Sequence, residues 1–268
     1  MKSNQPNTFP DDITPSDAMA WKKFLMKKYT EASVAGYIQR TKVVFKWATE
    51  NKFCDASPFA HLKKGSYINK NREFFITRAN YEKLLESCPD QTWRTIIALC
   101  RIGGLRNPSE TLAMRWEDVN WAEDRVLVRS IKTERYEGKG TRVIPMFPEL
   151  KKELERQFNE AAEGSVFVID RWRNTEKNMR THFQRIIFRA GLDQWPRLFH
   201  NLRGSRSCEL FSEYPAHVAS YWMGQSSRIA LDHYLHPTDD QYNDATEEKK
   251  ESKEKKPEAE PELWTCEK

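Results

Sequence analysis

The chain has 268 residues, 38% of them hydrophobic and 31% charged, with a formal net charge of +5. That length can bury one large core or two modest ones, and the composition is ordinary for a folded chain. No run approaches the roughly 18 apolar residues of a membrane helix, and the opening "MKSNQPNTFPDD" lacks the apolar core of a signal peptide, so export is not expected.

Cys54, Cys88, Cys100, Cys208 and Cys266 are odd in number and scattered without a CxxC pair. They read as reduced thiols of a cytosolic protein rather than as a disulfide framework or a zinc site. The last 24 residues hold eight acidic and six basic side chains, so the body before them carries about +7. Such a surplus suits a polyanion, although an ordinary basic protein shows the same balance.

In chain order, "TPSDAMAWKKFLMKK" predicts a helix capped by Thr14 with Pro15 at its first position. Met19, Trp21, Phe24 and Leu25 form its expected apolar face. "TEASVAGYIQRTKVVFKWATENKF" predicts a longer helix with Tyr37, Val44, Phe45 and Ala48 inward and Arg40, Lys42 and Lys46 outward. A small helical domain is therefore expected over residues 11–63, followed by a polar, basic linker over 64–76.

From Thr77 a capped helix begins, followed by the apolar "TWRTIIALCRIGGL", which should end at Gly103 and Gly104. "PSETLAMRWEDVNW" predicts another helix. The period then changes to two: "RVLVRSIKT" and "TRVIPM" read as the strands of a hairpin with a basic tip. Four further helices are expected in "PELKKELERQFNEAA", "NMRTHFQRIIFRAGL", "NLRGSRSCELFSEY" and "AHVASYWMG". The fold class is thus mainly α (α+β), with a mostly helical second domain over 77–242 holding a small antiparallel sheet, and a charged tail over 243–268.

Five side chains from separate segments suggest chemistry on phosphate: Arg106 after the glycine pair, Lys132 near a strand end, His200 and Arg203 one turn apart, and Tyr234. Arginine's planar fork grips two nonbridging oxygens. A hairpin lysine can protonate a leaving alkoxide, and histidine can assist an attacking phenol. Nothing resembles a carboxylate cluster for paired metal ions.

Taken in this order, "GGLR…LAMRWEDV", "IKTE…RVIPM", "HNLRGSR" and "WMGQSSRIALDHY" resemble the boxes of the tyrosine recombinases, or phage integrase family. The likeness runs from about residue 11 to 242, and residues 11–63 look like that family's core-binding domain. The resemblance implies that Arg106 and Arg203 bind the scissile phosphate, Lys132 protonates the departing 5′ oxygen, His200 assists, and Tyr234 attacks to form a 3′-phosphotyrosine bond. It further implies double-stranded DNA as partner, four protomers around a synapse, and no cofactor, neither metal nor ATP.

Two departures from the family pattern stand out. Gln225 occupies the place of a His or Trp that donates to the phosphate; it keeps an N–H donor but has no cationic form, so slower chemistry is expected. Glu110, the supporting acid, sits one residue farther from Arg106 than in the family, beyond Pro108. The N-terminal module also reads as if its first helix were absent. Arg40, Lys42, Lys46, Lys63 and Lys64 are candidate DNA-phosphate contacts or a solvated face. Lys139 and Arg135 share the hairpin with Lys132, and Tyr242 and Tyr221 fit the nucleophile's place less well than Tyr234. The alternative function is a recombinase-fold DNA-binding protein weakened or silenced at Gln225.

Overall fold

The computed structural model describes residues 12–65, 72–130, 134, 140–173 and 179–225. Helix α1 (Pro15–Lys28) starts where the Thr14 hydroxyl accepts from the Asp17 amide and the Asp17 carboxylate accepts from the Thr14 amide at 2.9 Å. Two orphan amides are satisfied reciprocally. Helix α2 (Glu31–Glu50) follows after a two-residue break. Ala18 and Leu25 of α1 meet Val34 and Ile38 of α2, and Phe59 and Leu62 close this small core. Trp21 meets Phe59 edge-on with ring centroids 5.5 Å apart.

The faces match those expected in part: Leu25 and Ala48 are buried, and Trp21 and Phe45 pack against the core. Met19 and Phe24 on α1, and Tyr37 and Val44 on α2, are exposed. The buried row of α1 is Ala18 and Leu25, seven residues apart with Trp21 half-buried between them, so a small residue at 18 lets α2 approach closely. The outer side of α2 shows Tyr37, Val43, Val44 and Trp47, with Phe53 stacked on Trp47.

Residues 72–76, inside the segment expected to be a linker, are docked. The Ile76 amide donates to Ser205 Oγ at 2.8 Å, and its carbonyl accepts from Arg101 Nε at 3.0 Å. Phe74 lies flat on Trp195. Arg101 is fully buried and places both terminal nitrogens on the Glu209 carboxylate. An unpaired guanidinium could not be held there.

Helices α3 (Arg78–Glu86) and α4 (Gln91–Arg101) are capped by the side chains of Thr77 and Asp90. Helix α4 is buried along most of its length and forms the axis of the main core. Trp93, Ile96, Ile97 and Leu99 pack there with Leu105, Val126, Val128, Ile144 and Phe183. Around it lie α5 (Pro148–Glu160), α6 (Met179–Arg189), α7 (Leu198–Glu213) and α8 (Ala216–Met223), each near its expected place. No helix among the described residues is long and apolar enough to cross a membrane.

The sheet has three strands in the order β1 (Val119–Asn120), β2 (Arg125–Arg129) and β3 (Thr141–Pro145), all antiparallel. Val128 pairs with Arg142 and Val126 with Ile144. The helix expected over "PSETLAMRWEDVNW" is absent. Turns occupy most of that stretch, then a 3₁₀ turn (Trp116–Asp118) and strand β1. Side chains there bond locally instead of leaving the backbone to a helix. Thr111 Oγ donates to Asn107 Oδ1 at 2.7 Å, and the Arg115 amide donates to Asp118 Oδ2 at 3.0 Å.

Candidate active site

The polypeptide leaves α4 through Gly104, whose φ is +68°. A Cβ there would lie 2.7 Å from Met223 Sδ, so glycine is required both by conformation and by the approach of α8. This close passage brings Arg106 beside the end of α8.

Glu110 is the hub of the site. Its carboxylate is 2% exposed, and it accepts both prongs of the Arg142 guanidinium at 3.0 and 2.7 Å. Ser130 Oγ donates to it at 3.0 Å, as does the Arg106 amide at 2.9 Å. The Arg106 guanidinium donates to Oε1, and Arg203 Nη1 stands 3.8 Å from Oε2. Burial pushes this carboxyl upward, but the hydrogen bonds and charge of Arg142, with the charges of Arg203 and Arg106, outweigh it and hold it at about 2. The group is a fixed anion among three fixed cations.

The same three arginines each take one successive carbonyl at the end of α8. Arg142 Nε donates to Trp222 O at 2.8 Å, Arg203 Nη2 to Met223 O, and Arg106 Nη2 to Gly224 O at 2.9 Å. Arg203 Nη1 also donates to Gly104 O. Carbonyls at a helix C-terminus lack intrahelical partners and carry partial negative charge, which suits guanidinium donors. Gly224 ends the helix at φ +56°, and a Cβ there would press on Arg142 at 3.0 Å. The α8 terminus is thereby bolted to α7, to β3 and to the turn after α4.

Three guanidiniums against one carboxylate leave a local surplus of positive charge. Arg106 is the most open of them, its side chain 25% exposed against 7% for Arg203 and 4% for Arg142. A guanidinium has five donors, so two protein bonds do not exhaust it. Such a set of partly used donors can seat an anion.

Of the residues expected from sequence, Arg106, Glu110, Arg203 and Gln225 come together here. With the extra residue before Glu110, the pair lies at i,i+4 and bonds directly. Gln225 comes just after the gripped carbonyls, and its Nε2 donates to Ser207 Oγ of α7 at 2.8 Å. His200 lies in the first turn of α7, exposed, on the helix that carries Arg203. Lys132 and Tyr234 lie outside the described residues, as do the rivals Arg135, Lys139 and Tyr242. Tyr221 is described, exposed on α8.

The candidate DNA contacts of the first module do not form one row. Lys42 and Lys46 share a side of α2, whereas Arg40 points roughly 160° away from Lys42. Lys42 Nζ donates to Ala60 O at 2.7 Å, Lys46 lies 3.6 Å from Glu50, and Arg40 sits over the Tyr37 ring. Lys63 and Lys64 are exposed, and the Lys63 carbonyl accepts from Lys22 Nζ at 3.2 Å.

Sequence reasoning missed Arg142, Ser130 and Ser207. Arg142 left a usable signal: in "TRVIP" it alternates with Ile144 on the inward face, and a charge there requires a buried partner. Among the described residues no group of three or more His, Cys, Asp or Glu could hold a metal ion.

Residues 75–241 match the family model described as the phage integrase family. The structure is similar to that of the Tn1549 transposon integrase in complex with circular intermediate DNA, at 18% identity and TM-score 0.63, covering 92% of this chain and 89% of that one. It is also similar to a lambda integrase dimer bound to a COC′ core site, at 19% identity and TM-score 0.66, covering 86% of this chain and 67% of that one. A third similar structure is the XerA recombinase, at 18% identity and TM-score 0.53, covering 89% and 84%. At such identities the likeness speaks for the fold. No curated protein sequence matches.

Proposed function

Because the chain belongs to the phage integrase family, we propose that it cuts and rejoins double-stranded DNA by transient attachment to Tyr234. The Tyr234 phenol oxygen attacks the scissile phosphorus, the bond to the 5′ oxygen breaks, and a 3′-phosphotyrosine link forms. Lys132 supplies the proton that the departing 5′ oxygen takes up. His200 assists by taking up the proton that the phenol loses as it attacks. Attack by the 5′-hydroxyl of a second DNA end reverses the step and releases the tyrosine. The link conserves the energy of the broken ester, so the scheme needs neither ATP nor a metal ion.

The observation that carries this reading is the meeting of Arg106 and Arg203 at one hub. They arise nearly a hundred residues apart, yet both contact Glu110 and grip adjacent carbonyls of the segment leading towards Tyr234. Guanidiniums held in this way cost no reorganisation when charge gathers on nonbridging oxygens. The module of α1 and α2 is proposed to clamp the opposite side of the duplex, and four protomers to assemble a synapse.

The test is an adduct gel on a nicked duplex carrying a site that the wild-type chain selects from random-sequence DNA. Wild type should give a covalent protein–DNA band, and Tyr234→Phe should bind the same DNA and give none. Salt-sensitive binding without any wild-type adduct would instead identify a silenced recombinase-fold DNA-binding protein.

A further inference from the structure

We infer that Ser207 is a positioning residue for Gln225, and that the two act as a unit in the strand-cleavage step; this rests on the proposed strand-transfer function. Ser207 is fully buried on α7, four residues and so about one turn beyond Arg203. Its Oγ accepts from Gln225 Nε2 at 2.8 Å. A buried hydroxyl needs a partner, and this amide supplies one.

The bond matters because of what a glutamine is. Its side chain has three rotatable bonds, and ordering it costs up to about 2 kcal/mol. Left untethered at the edge of the seat, its amide would spread over several rotamers and donate to a phosphate only part of the time. The backbone of residue 225 is already fixed, since its amide donates to Ser220 O at 3.2 Å at the end of α8. Ser207 fixes the other end, so the amide is held between α8 and the helix that carries Arg203. A primary amide has two N–H donors, and the bond to Ser207 uses one. Ser207 thereby sets the plane of the amide, and the second donor is the one that would reach the phosphate. In effect it gives a flexible side chain the rigidity of a ring.

A double-mutant cycle in the full-length protein tests this, with the selected site in a nicked duplex as probe. Single-turnover adduct formation and DNA affinity are both read, with the thermal midpoint as a check on folding. Ser207→Ala should slow adduct formation about tenfold, the size of one lost hydrogen bond to a charged group, while leaving Kd within about twofold. Gln225→Ala should slow it by a similar factor, and the double variant should be no slower than Gln225→Ala alone.

Equal slowing by Ser207→Ala in the wild-type and Gln225→Ala backgrounds would overturn the inference, because Ser207 would then serve the fold and not the amide. No slowing at all, or a parallel fall in affinity, midpoint and rate, would overturn it too. Each of these leaves the proposed function standing, since the wild type still forms its adduct. A wild type that binds its site and never forms an adduct removes both.

Discussion

The Glu110 carboxylate should be worth about 3 kcal/mol of folding stability near neutral pH. The value comes from its displacement from 4.5 to about 2, taken at about 1.4 kcal/mol for each unit. Its folded value is depressed, so the stabilisation is fully present above the ordinary carboxylate range and is lost as pH falls towards about 2. Glu110→Gln keeps the shape but removes the charge, leaving Arg142, Arg106 and Arg203 crowded without their anion. Urea unfolding of both proteins near neutral pH should show the variant less stable by about 3 kcal/mol, with the gap narrowing as pH is lowered from 4.5 towards 2. A loss below about 1 kcal/mol, or a gap that stays constant on acidification, would refute the assignment of Glu110 as the common anion.

Gly104→Ala meets both an unfavourable φ of +68° and a contact of 2.7 Å with Met223 Sδ. It should lower stability by about 1–3 kcal/mol in urea melts, and also slow adduct formation by loosening α8. Phe183→Ala, which empties a fully buried position stacked 4.7 Å from Phe199, should cost about 3–5 kcal/mol in the same melts. Burial pushes the thiols of Cys88 and Cys208 up to about 12 and about 11, and that of Cys100 higher still. Alkylation of the native protein near neutral pH, read by mass spectrometry, should leave all three unmodified until denaturant is added.

Much of the catalytic fold was legible because its helices carry their own punctuation. Thr77 and Asp90 cap α3 and α4, Pro148 opens α5, and Gly224 closes α8. Residues 108–121 do not form the expected helix because their apolar spacing is helical while their polar side chains bond locally; periodicity does not reveal where Thr111 or Asp118 will donate and accept. The apolar faces of α1 and α2 hold for Leu25, Trp21, Phe45 and Ala48 and fail for Met19, Phe24, Tyr37 and Val44, for a related reason. Sequence rewards large residues such as Phe24 and Val44, but close packing selected Ala18 and Val34.

At the site, Arg106, Arg203 and Gln225 could be found because their neighbours form recognisable boxes. Arg142 left only the indirect signal of a charge on an inward strand face, and Ser207 left none, because their partners exist only once β3 and α7 are folded against α8. The displaced Glu110 shows the same limit. One extra residue looks disruptive in a string, yet the turn that follows Arg106 still brings Glu110 into direct contact with it.

The most direct measurement is the identity of the residue that carries DNA. Wild-type protein trapped on its nicked site would be digested with protease and nuclease, and the nucleotide-bearing peptide sequenced by mass spectrometry. The expected result is a single 3′-linked nucleotide on Tyr234, lost in both Arg106→Ala and Arg203→Ala although each still binds the duplex. A nucleotide on Tyr221 or Tyr242, or an adduct that survives removal of either arginine, would contradict the convergence of two guanidiniums and one phenol on a single phosphate.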